Sequence, residues 1–318
     1  MNCIICDKNA NAKGSHIVPA SLIQNCVGKH YREESYKIDA KNVNIDTYFG
    51  RDNLKNTSTE IKENHYKKDY ILCQECEDKL ATIENNFSRN FLQKFRDERY
   101  NQNFKIYKNQ FQVEILIPLR YDKDELYFYL YSLIHRFCVD NGQEDGEFFL
   151  EESDLINLKS YINEYLYGDK TKAKEYIANF NLVIHFDKSN SNGSFVASSN
   201  HFNNPYIFYF CEPILLLFIG KLSKEAKQIY EPYINNVSKN DELKIIVNPE
   251  FYDSYRKIMA EYLAETFMTN AIHQLCNLNH KRYEENLVEF VNEMTGFEGD
   301  DNEKAIKTFE KLKQKYCS

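Results

Sequence analysis

The chain begins with Cys3-Ile4-Ile5-Cys6, continues through Ser15-His16-Ile17-Val18-Pro19, and returns to the first spacing at Leu72-Cys73-Gln74-Glu75-Cys76-Glu77. A Cys-x-x-Cys turn directs two thiolates toward one point, and a closed structural zinc site needs four ligands at about 2.3 Å in a tetrahedron. Two such turns supply all four. The sequence therefore predicts a structural Zn²⁺ site formed by Cys3, Cys6, Cys73 and Cys76.

The competing interpretations of the cysteines are a disulfide framework and unpaired structural thiols. The chain has nine cysteines, an odd number. Its first residues contain no basic region followed by an apolar one, so we expect no secretory signal and a cytoplasmic location. Thiols stay reduced in the cytosol, which favours metal binding over disulfides. Cys26 is a candidate substitute ligand, and Cys138, Cys211, Cys276 and Cys317 are predicted to be spectator thiols.

The second cysteine pair leads into a predicted amphipathic helix. Its apolar face is formed by residues spaced three or four apart: Leu80, Ile83, Phe87, Phe91 and Phe95. A cysteine turn, an irregular middle and a second turn that leads into a helix is the order of a treble clef. Because 66 residues separate the pairs, we expect an insertion at about residues 27–70.

At these residues the chain resembles the HNH-type (treble-clef, ββα-metal) endonucleases. More narrowly, it is similar to a bacterial group with Cys-x-x-Cys, Ser-His-Ile-x-Pro and Leu-Cys-x-x-Cys-Glu motifs. The resemblance covers about the first 95 residues. It implies a treble-clef fold and hydrolysis of phosphodiester bonds in nucleic acid, plausibly as an effector of a bacterial (anti-phage) defence system.

The resemblance also implies roles for individual residues. His16 matches the histidine that activates water, and Glu77 stands where the family usually has a His or Asn ligand to a catalytic Mg²⁺ or Mn²⁺ ion. Ser15 replaces an acidic ligand of that ion. An asparagine that orients the base is expected among Asn53, Asn56 and Asn64, and the sequence does not choose between them.

Each of these residues also has a structural interpretation. His16 can be an ordinary strand histidine, and Glu77 can be a first-turn acid that the helix dipole favours. Glu75 and Glu84 are predicted to be solvated helix residues. His135 and Arg136 lie next to each other in an apolar helical pattern, which makes them a candidate buried polar pair.

Charge differs between the two parts of a chain whose net charge is −8. Residues 1–95 carry 14 lysines and arginines against 13 aspartates and glutamates, and the remainder carries 26 against 35. We therefore expect the N-terminal domain to bind nucleic acid, with DNA as the expected type. Its candidate phosphate contacts are Lys67-Lys68, the segment 29–32, and Arg89, Lys94 and Arg96. The acidic C-terminal domain is expected to meet a protein partner or to oligomerise, and no segment is predicted to cross a membrane.

The fold class predicted for the whole chain is α+β. An N-terminal zinc-binding treble clef (residues 1–97) is followed by a mixed α/β domain (residues 98–318) with an antiparallel sheet and a long C-terminal helical segment. Asn190-Ser191-Asn192-Gly193 predicts a hairpin between strands at 182–186 and 194–197.

Two function classes follow from these patterns, together with a third in which the acidic domain alone carries the interaction. The first is a metal-dependent HNH-like endonuclease, with a partner-binding or sensor role for residues 98–318. The alternative is a non-catalytic, zinc-stabilised module that binds nucleic acid or protein.

Overall fold

The computed structural model describes residues 1–23, 34–39, 44–49, 67–110, 112–145, 149–187, 196–198, 202–239, 242–299 and 301–317. The chain forms two compact units. The first contains Met1–Lys29 and Asn64–Tyr252, and the second contains His30–Glu63 and Asp253–Ser318. The α+β class and the long C-terminal helices predicted from sequence are confirmed, and the predicted antiparallel sheet contains one parallel pair.

The N-terminal elements follow the predicted treble-clef order. They are β1 (Ser15–His16), α1 (Ala20–Ile23), β2 (Glu34–Asp39), β3 (Asn44–Phe49), β4 (Lys67–Lys68), α2 (Gln74–Asn86) and α3 (Gln93–Arg96). Strand β1 pairs antiparallel with β4, with Ser15 opposite Lys68 and His16 opposite Lys67. The predicted insertion therefore leaves after the first strand of this pair and returns at the second.

A π-helical turn, Phe87–Leu92, joins α2 to α3. The predicted apolar face repeats every four residues from Phe87 to Phe95, which is wider than the 3.6-residue turn of an α-helix. The wider turn keeps Phe87, Phe91 and Phe95 on one side. Their rings meet Tyr129, Phe186 and Phe104, so this helical run packs on the sheet.

The first unit is built on a seven-stranded sheet. Its strands are β5 (Phe104–Lys108), β6 (Glu114–Pro118), β7 (Phe180–Phe186), β8 (Val196–Ser198), β9 (Tyr206–Phe210), β10 (Pro213–Ile219) and β11 (Ile245–Ile246), in the order β5-β6-β11-β7-β10-β9-β8. All pairs are antiparallel except β11 with β7. Every residue of β7 and β9 is buried, as expected for strands covered on both faces.

Besides α1, α2 and α3, the first unit contains the helices α4 (Lys123–Asp145), α5 (Glu152–Tyr167), α6 (Lys170–Tyr176) and α7 (Lys224–Tyr230). On α4, Tyr131 meets Phe180 of β7, and Phe137 meets Phe208 and Phe210 of β9. Gly168 directly follows α5, and a Cβ atom there would lie 2.4 Å from a carboxylate oxygen of Glu164.

The predicted hairpin across residues 190–193 is wrong. Strand β7 pairs with β10 and β11, whereas β8 pairs with β9 at the edge of the sheet. A strand buried on both faces gains more from a central position with two neighbours than from pairing with a short edge strand. Residues 190–193 themselves lie outside the described part of the chain.

The domain boundary predicted at residues 97–98 lies inside the first unit. Buried residues on both sides of it, from Cys3 and Leu80 to Leu130, Phe186 and Leu215, belong to one hydrophobic core. The division of the chain into domains at residues 97–98 therefore stays a prediction.

The second unit contains the β2–β3 hairpin, with Glu34 opposite Phe49, and most of the C-terminal helices. These are α8 (Pro249–Asn279), α9 (Tyr283–Met294) and α10 (Asp301–Cys317). Their shared core contains Phe267, Leu275, Phe290, Phe309 and Leu312. None of the helices in the described part of the chain is long and apolar enough to cross a membrane.

Candidate metal centre

The four predicted zinc ligands meet at one point. Their sulfur atoms lie within 4.8 Å of one another, and the sulfurs of Cys6 and Cys73 are 3.5 Å apart. A tetrahedron with zinc–sulfur bonds of 2.3 Å has sulfur–sulfur edges of about 3.8 Å. The arrangement therefore fits a Zn²⁺ ion with little rearrangement, as the sequence predicts.

Backbone hydrogen bonds form the two cysteine turns and join them. The Cys3 N–H donates to the Lys8 carbonyl at 2.7 Å, and Asp7 closes the turn with a left-handed φ of 60°. The Ile4 N–H donates to the carbonyl of Ile71 at 3.0 Å, which brings the second pair beside the first. Helix α2 then begins directly after Cys73, which carries Cys76 back to the same centre.

The protonation of the thiols shows why the site needs a cation. The hydrogen bond from Cys76 lowers the pKa of Cys3 to about 4. That same hydrogen bond, together with burial, raises the pKa of Cys76, and burial raises the pKa of Cys6. In this arrangement the pKa shifts favour a thiolate at Cys3 and protonated thiols at Cys76 and Cys6. A dication would compensate several thiolates at once.

Helix α5 supplies a polar contact to the cysteine cluster from far along the chain. The hydroxyl of Tyr167 lies 3.0 Å from the sulfur of Cys76. Burial raises the pKa of Tyr167, so the phenol is protonated and can donate to a thiolate. The ammonium of Lys79 lies 3.6 Å from the centre of the Tyr167 ring and donates to the Leu166 carbonyl.

The predicted catalytic residues lie on the two elements next to the cysteines. His16 is a half-buried residue of β1, and Glu77 is a half-buried residue in the first turn of α2. Among the His, Cys, Asp and Glu residues that the structure describes, the four cysteines are the one group of three or more that could hold a metal. The catalytic Mg²⁺ or Mn²⁺ site therefore stays a prediction.

A buried arginine holds the strand that carries His16. Arg136 of α4 is 1% exposed, and its Nη1 donates to the carbonyl oxygen of His16 at 2.5 Å. The same nitrogen lies 2.7 Å from Oε1 of Glu84 on α2. The expectation that Glu84 is a solvated helix residue is therefore wrong, because α4 covers that face of α2. The predicted buried pair of His135 and Arg136 is confirmed.

A second arginine–glutamate pair lies near Ser21, at the other end of the segment that begins at His16. Arg96 donates from Nε and Nη2 to the two carboxylate oxygens of Glu212, each at 2.7 Å. Its Nη2 also donates to the carbonyl of Ser21 at 3.0 Å. Arg96 is thus held inside the first unit, which corrects its interpretation as a phosphate contact.

The remaining basic candidates divide between paired and exposed side chains. Lys68 forms an ion pair with Asp140 of α4 at 2.6 Å, and Lys67 and Arg89 are exposed. The segment 29–32 lies outside the described residues, as do Cys26 and the candidate asparagines Asn53, Asn56 and Asn64. Glu75 is exposed beside Lys8 as predicted.

The spectator cysteines have mixed outcomes. Cys138 is a buried free thiol, and Cys276 and Cys317 are free. Cys211 is disulfide-bonded, which corrects its interpretation as a lone thiol.

Sequence reasoning missed Arg96, Glu84, Glu212 and Tyr167 as neighbours of the motif. None belongs to a spacing pattern, and each partner is distant in sequence. The one available signal was charge inside apolar runs, at Arg136 and at Glu212 before Pro213. Comparison of the chain with protein-family models, with curated proteins and with solved structures gave no match.

Proposed function

We propose that this chain is a metal-dependent HNH-like endonuclease that hydrolyses phosphodiester bonds in nucleic acid, with DNA as the expected substrate. One observation carries the proposal. The first strand of an antiparallel pair carries His16, and the pair lies between two cysteine turns, the second of which begins a helix. This is the strand–strand–helix order that the resemblance implies.

The two faces of the β1–β4 pair differ in a way that suits substrate binding. Side chains opposite each other in an antiparallel pair project from the same face. His16 therefore shares a face with exposed Lys67, whereas buried Ser15 shares the other face with Lys68 and α4. A half-buried imidazole beside an exposed ammonium is a suitable place for a phosphate group.

Gly14 makes room for Lys67 on this face. A Cβ atom at Gly14 would lie 2.4 Å from the Cε of Lys67, and the φ of Gly14 is +70°. Both the backbone conformation and the close approach favour glycine. The lysine stem can therefore lie flat across the strand, beside His16.

In the proposed reaction, the His16 imidazole accepts a proton from the attacking water and Lys67 binds the phosphate. Glu77 precedes Glu84 by seven residues, so both project from one face of α2. The Glu77 carboxylate would ligate Mg²⁺ or Mn²⁺, which supplies charge stabilisation at the leaving oxygen. The proposal places the protein in the bacterial cytoplasm, where it would act as a defence effector. Its acidic C-terminal part would bind a protein partner.

A non-catalytic binding module is the second candidate. It is favoured by Ser15, which is fully buried where the resemblance implies an acidic metal ligand. The cysteine cluster and Lys67 would then dock nucleic acid or protein without turnover.

The test is a cleavage assay on the zinc-loaded protein, with supercoiled, linear and single-stranded DNA and with RNA, in Mg²⁺ or Mn²⁺. We expect metal-dependent cutting that falls by about 100-fold or more in His16→Ala, as for loss of a general base. His273→Ala, an exposed histidine of α8, is the matched control. Cutting that survives in His16→Ala would rule out this mechanism, and nucleic-acid binding without cutting would favour the binding module.

A further inference from the structure

Two part-buried arginine–glutamate pairs contact the segment 16–21 at its two ends. Arg136 binds the carbonyl of His16, and Arg96 binds the carbonyl of Ser21. The arginines reach this segment from α4 and α3, and their glutamates come from α2 and from the residue before β10. Glu84 and Arg136 are separated by 52 positions in the sequence, and Arg96 and Glu212 by 116. We name the four residues Glu84, Arg96, Arg136 and Glu212 the arginine clamp.

The two pairs lie around one buried phenol. The hydroxyl of Tyr129 is fully buried, and its pKa is raised by burial first and then by the charge of Glu84. Arg136, Glu212 and Arg96 also act on it electrostatically. All four charges thus act on the pKa of the same buried phenol.

Burial makes these pairs expensive as simple stabilising contacts. Arg136 is 1% exposed and Glu212 is 2% exposed. Removing such charges from water carries a large desolvation cost, and well-packed apolar residues often stabilise a fold equally well. What an apolar residue cannot do is bind a carbonyl oxygen and thereby fix the path of a strand.

Helix α4 holds both strands of the pair that carries His16. Ser132, Arg136 and Asp140 follow one another at intervals of four, which places them on one face of α4. Arg136 binds β1 through the His16 carbonyl, and Asp140 binds β4 through Lys68. The orientation of β1 is therefore set from outside the cysteine cluster.

We propose that the arginine clamp positions His16, so that residues on α4, on α3 and directly before β10 complete a site whose reacting groups lie in the first 77 residues. Arg136 and Arg96 are positioning residues, because they act through the backbone of the segment 16–21. The catalytic half of this inference rests on the proposed function, whereas the structural half does not.

The test uses variants that separate positioning from folding. Arg136→Lys keeps the charge beside Glu84, but one ammonium cannot reproduce the guanidinium geometry. The double variant Arg136→Met/Glu84→Gln removes both charges, which avoids a lone buried carboxylate. Lys105→Met/Glu242→Gln is the matched control, since that pair is exposed and its atoms are 3.3 Å apart.

Two readouts are measured on zinc-loaded, folded protein. Hydrogen exchange of the peptide spanning residues 15–23 is expected to accelerate about tenfold or more in both clamp variants, as local opening becomes easier. The kcat for cleavage is expected to fall about 10- to 100-fold with KM within about twofold, because misplacement of a catalytic group acts on the chemical step. The control should change neither.

The outcomes are distinguishable. If the wild type cuts no nucleic acid, the proposed function fails and exchange alone decides whether the clamp holds the segment. Unchanged exchange in either folded clamp variant would overturn the clamp. Faster exchange with unchanged kcat would overturn its positioning role. If the double variant does not fold, Arg136→Lys carries the same comparison.

Discussion

The metal centre and the central sheet of the first unit are held together in different ways. Four thiols, three of them buried, lie within 4.8 Å of one another, where a metal ion could compensate the charge of their thiolates. Strands β7, β9 and β10 are almost wholly buried and depend on apolar area removed from water. Removing a metal ion would therefore act first on the cysteine cluster, whereas the sheet responds first to changes in packing.

Zinc removal should have the largest effect, and it should be confined to one side of this comparison. Structural zinc contributes roughly 10–16 kcal/mol of apparent binding free energy in small zinc domains. We expect chelation, or Cys76→Ser, to increase hydrogen exchange in peptides from residues 1–23 and 67–86 while β7 and β10 remain protected. Cys317→Ser, at an exposed free cysteine, is the control.

Exchange that increases equally in the sheet would show that the two regions form one cooperative unit. Zinc quantified alongside exchange distinguishes loss of the ion from loss of the fold.

A cavity in the sheet should have the opposite pattern. Leu216 is fully buried in β10, between β7 and β9. Leu216→Ala should lower the free energy of unfolding in urea by about 2–5 kcal/mol, because it removes buried methyl groups and leaves a void.

The zinc stoichiometry of Leu216→Ala should stay at that of the wild type. Ile229→Ala, on the exposed side of α7, should change stability by less than about 0.5 kcal/mol. Loss of zinc in Leu216→Ala would contradict the separation of the two regions.

Tyr167 provides a contact between α5 and the metal centre. Tyr167→Phe removes the hydroxyl 3.0 Å from the Cys76 sulfur and leaves the ring beside Lys79. Loss of such an outer hydrogen bond typically lowers metal affinity about 10- to 100-fold. Competition with a chromophoric chelator measures the change, and Tyr100→Phe, at an exposed tyrosine, is the control. An unchanged zinc affinity would show that the Tyr167 hydroxyl of α5 does not contribute to metal binding.

His135 is a polar residue buried in the apolar interior of the first unit. Burial lowers its pKa to about 3, with smaller contributions from the charges of Lys159 and Arg136. The unfolded imidazole binds a proton below its usual pKa of 6.5, whereas the folded one does not. Its contribution to stability is therefore complete above pH 6.5 and is lost as the pH falls toward 3.

His135→Leu should flatten this dependence. The loss of stability between pH 7.5 and 5.5 should be smaller than in the wild type by ~1.4 kcal/mol, the linkage value for a pKa of 6.5 against one near 3. His273→Leu, at an exposed histidine, is the control. Equal slopes in His135→Leu and the wild type would mean that the folded protein takes up this proton.

The sequence determined the features that are local or periodic. Cysteine spacing identified the four ligands, because two residues between thiols fix a turn by themselves. Apolar periodicity identified the helix that carries Leu80 and Ile83 and the long C-terminal helical segment, and the run at 182–186 was correctly predicted as a strand. Pairing was not determined: β7 takes β10 and β11 as its neighbours because a strand buried on both faces needs two of them.

Only the tertiary structure decided what surrounds His16. The hydrogen bonds from Arg136 and Arg96 to the segment 16–21 span 120 and 75 residues, and that from Tyr167 to Cys76 spans 91. No spacing rule connects such positions, because their proximity results from packing α4 and α5 against the cysteine cluster and the sheet. Glu84 shows the consequence: its place on α2 suggested a solvated carboxylate, and packing made it one half of a buried ion pair.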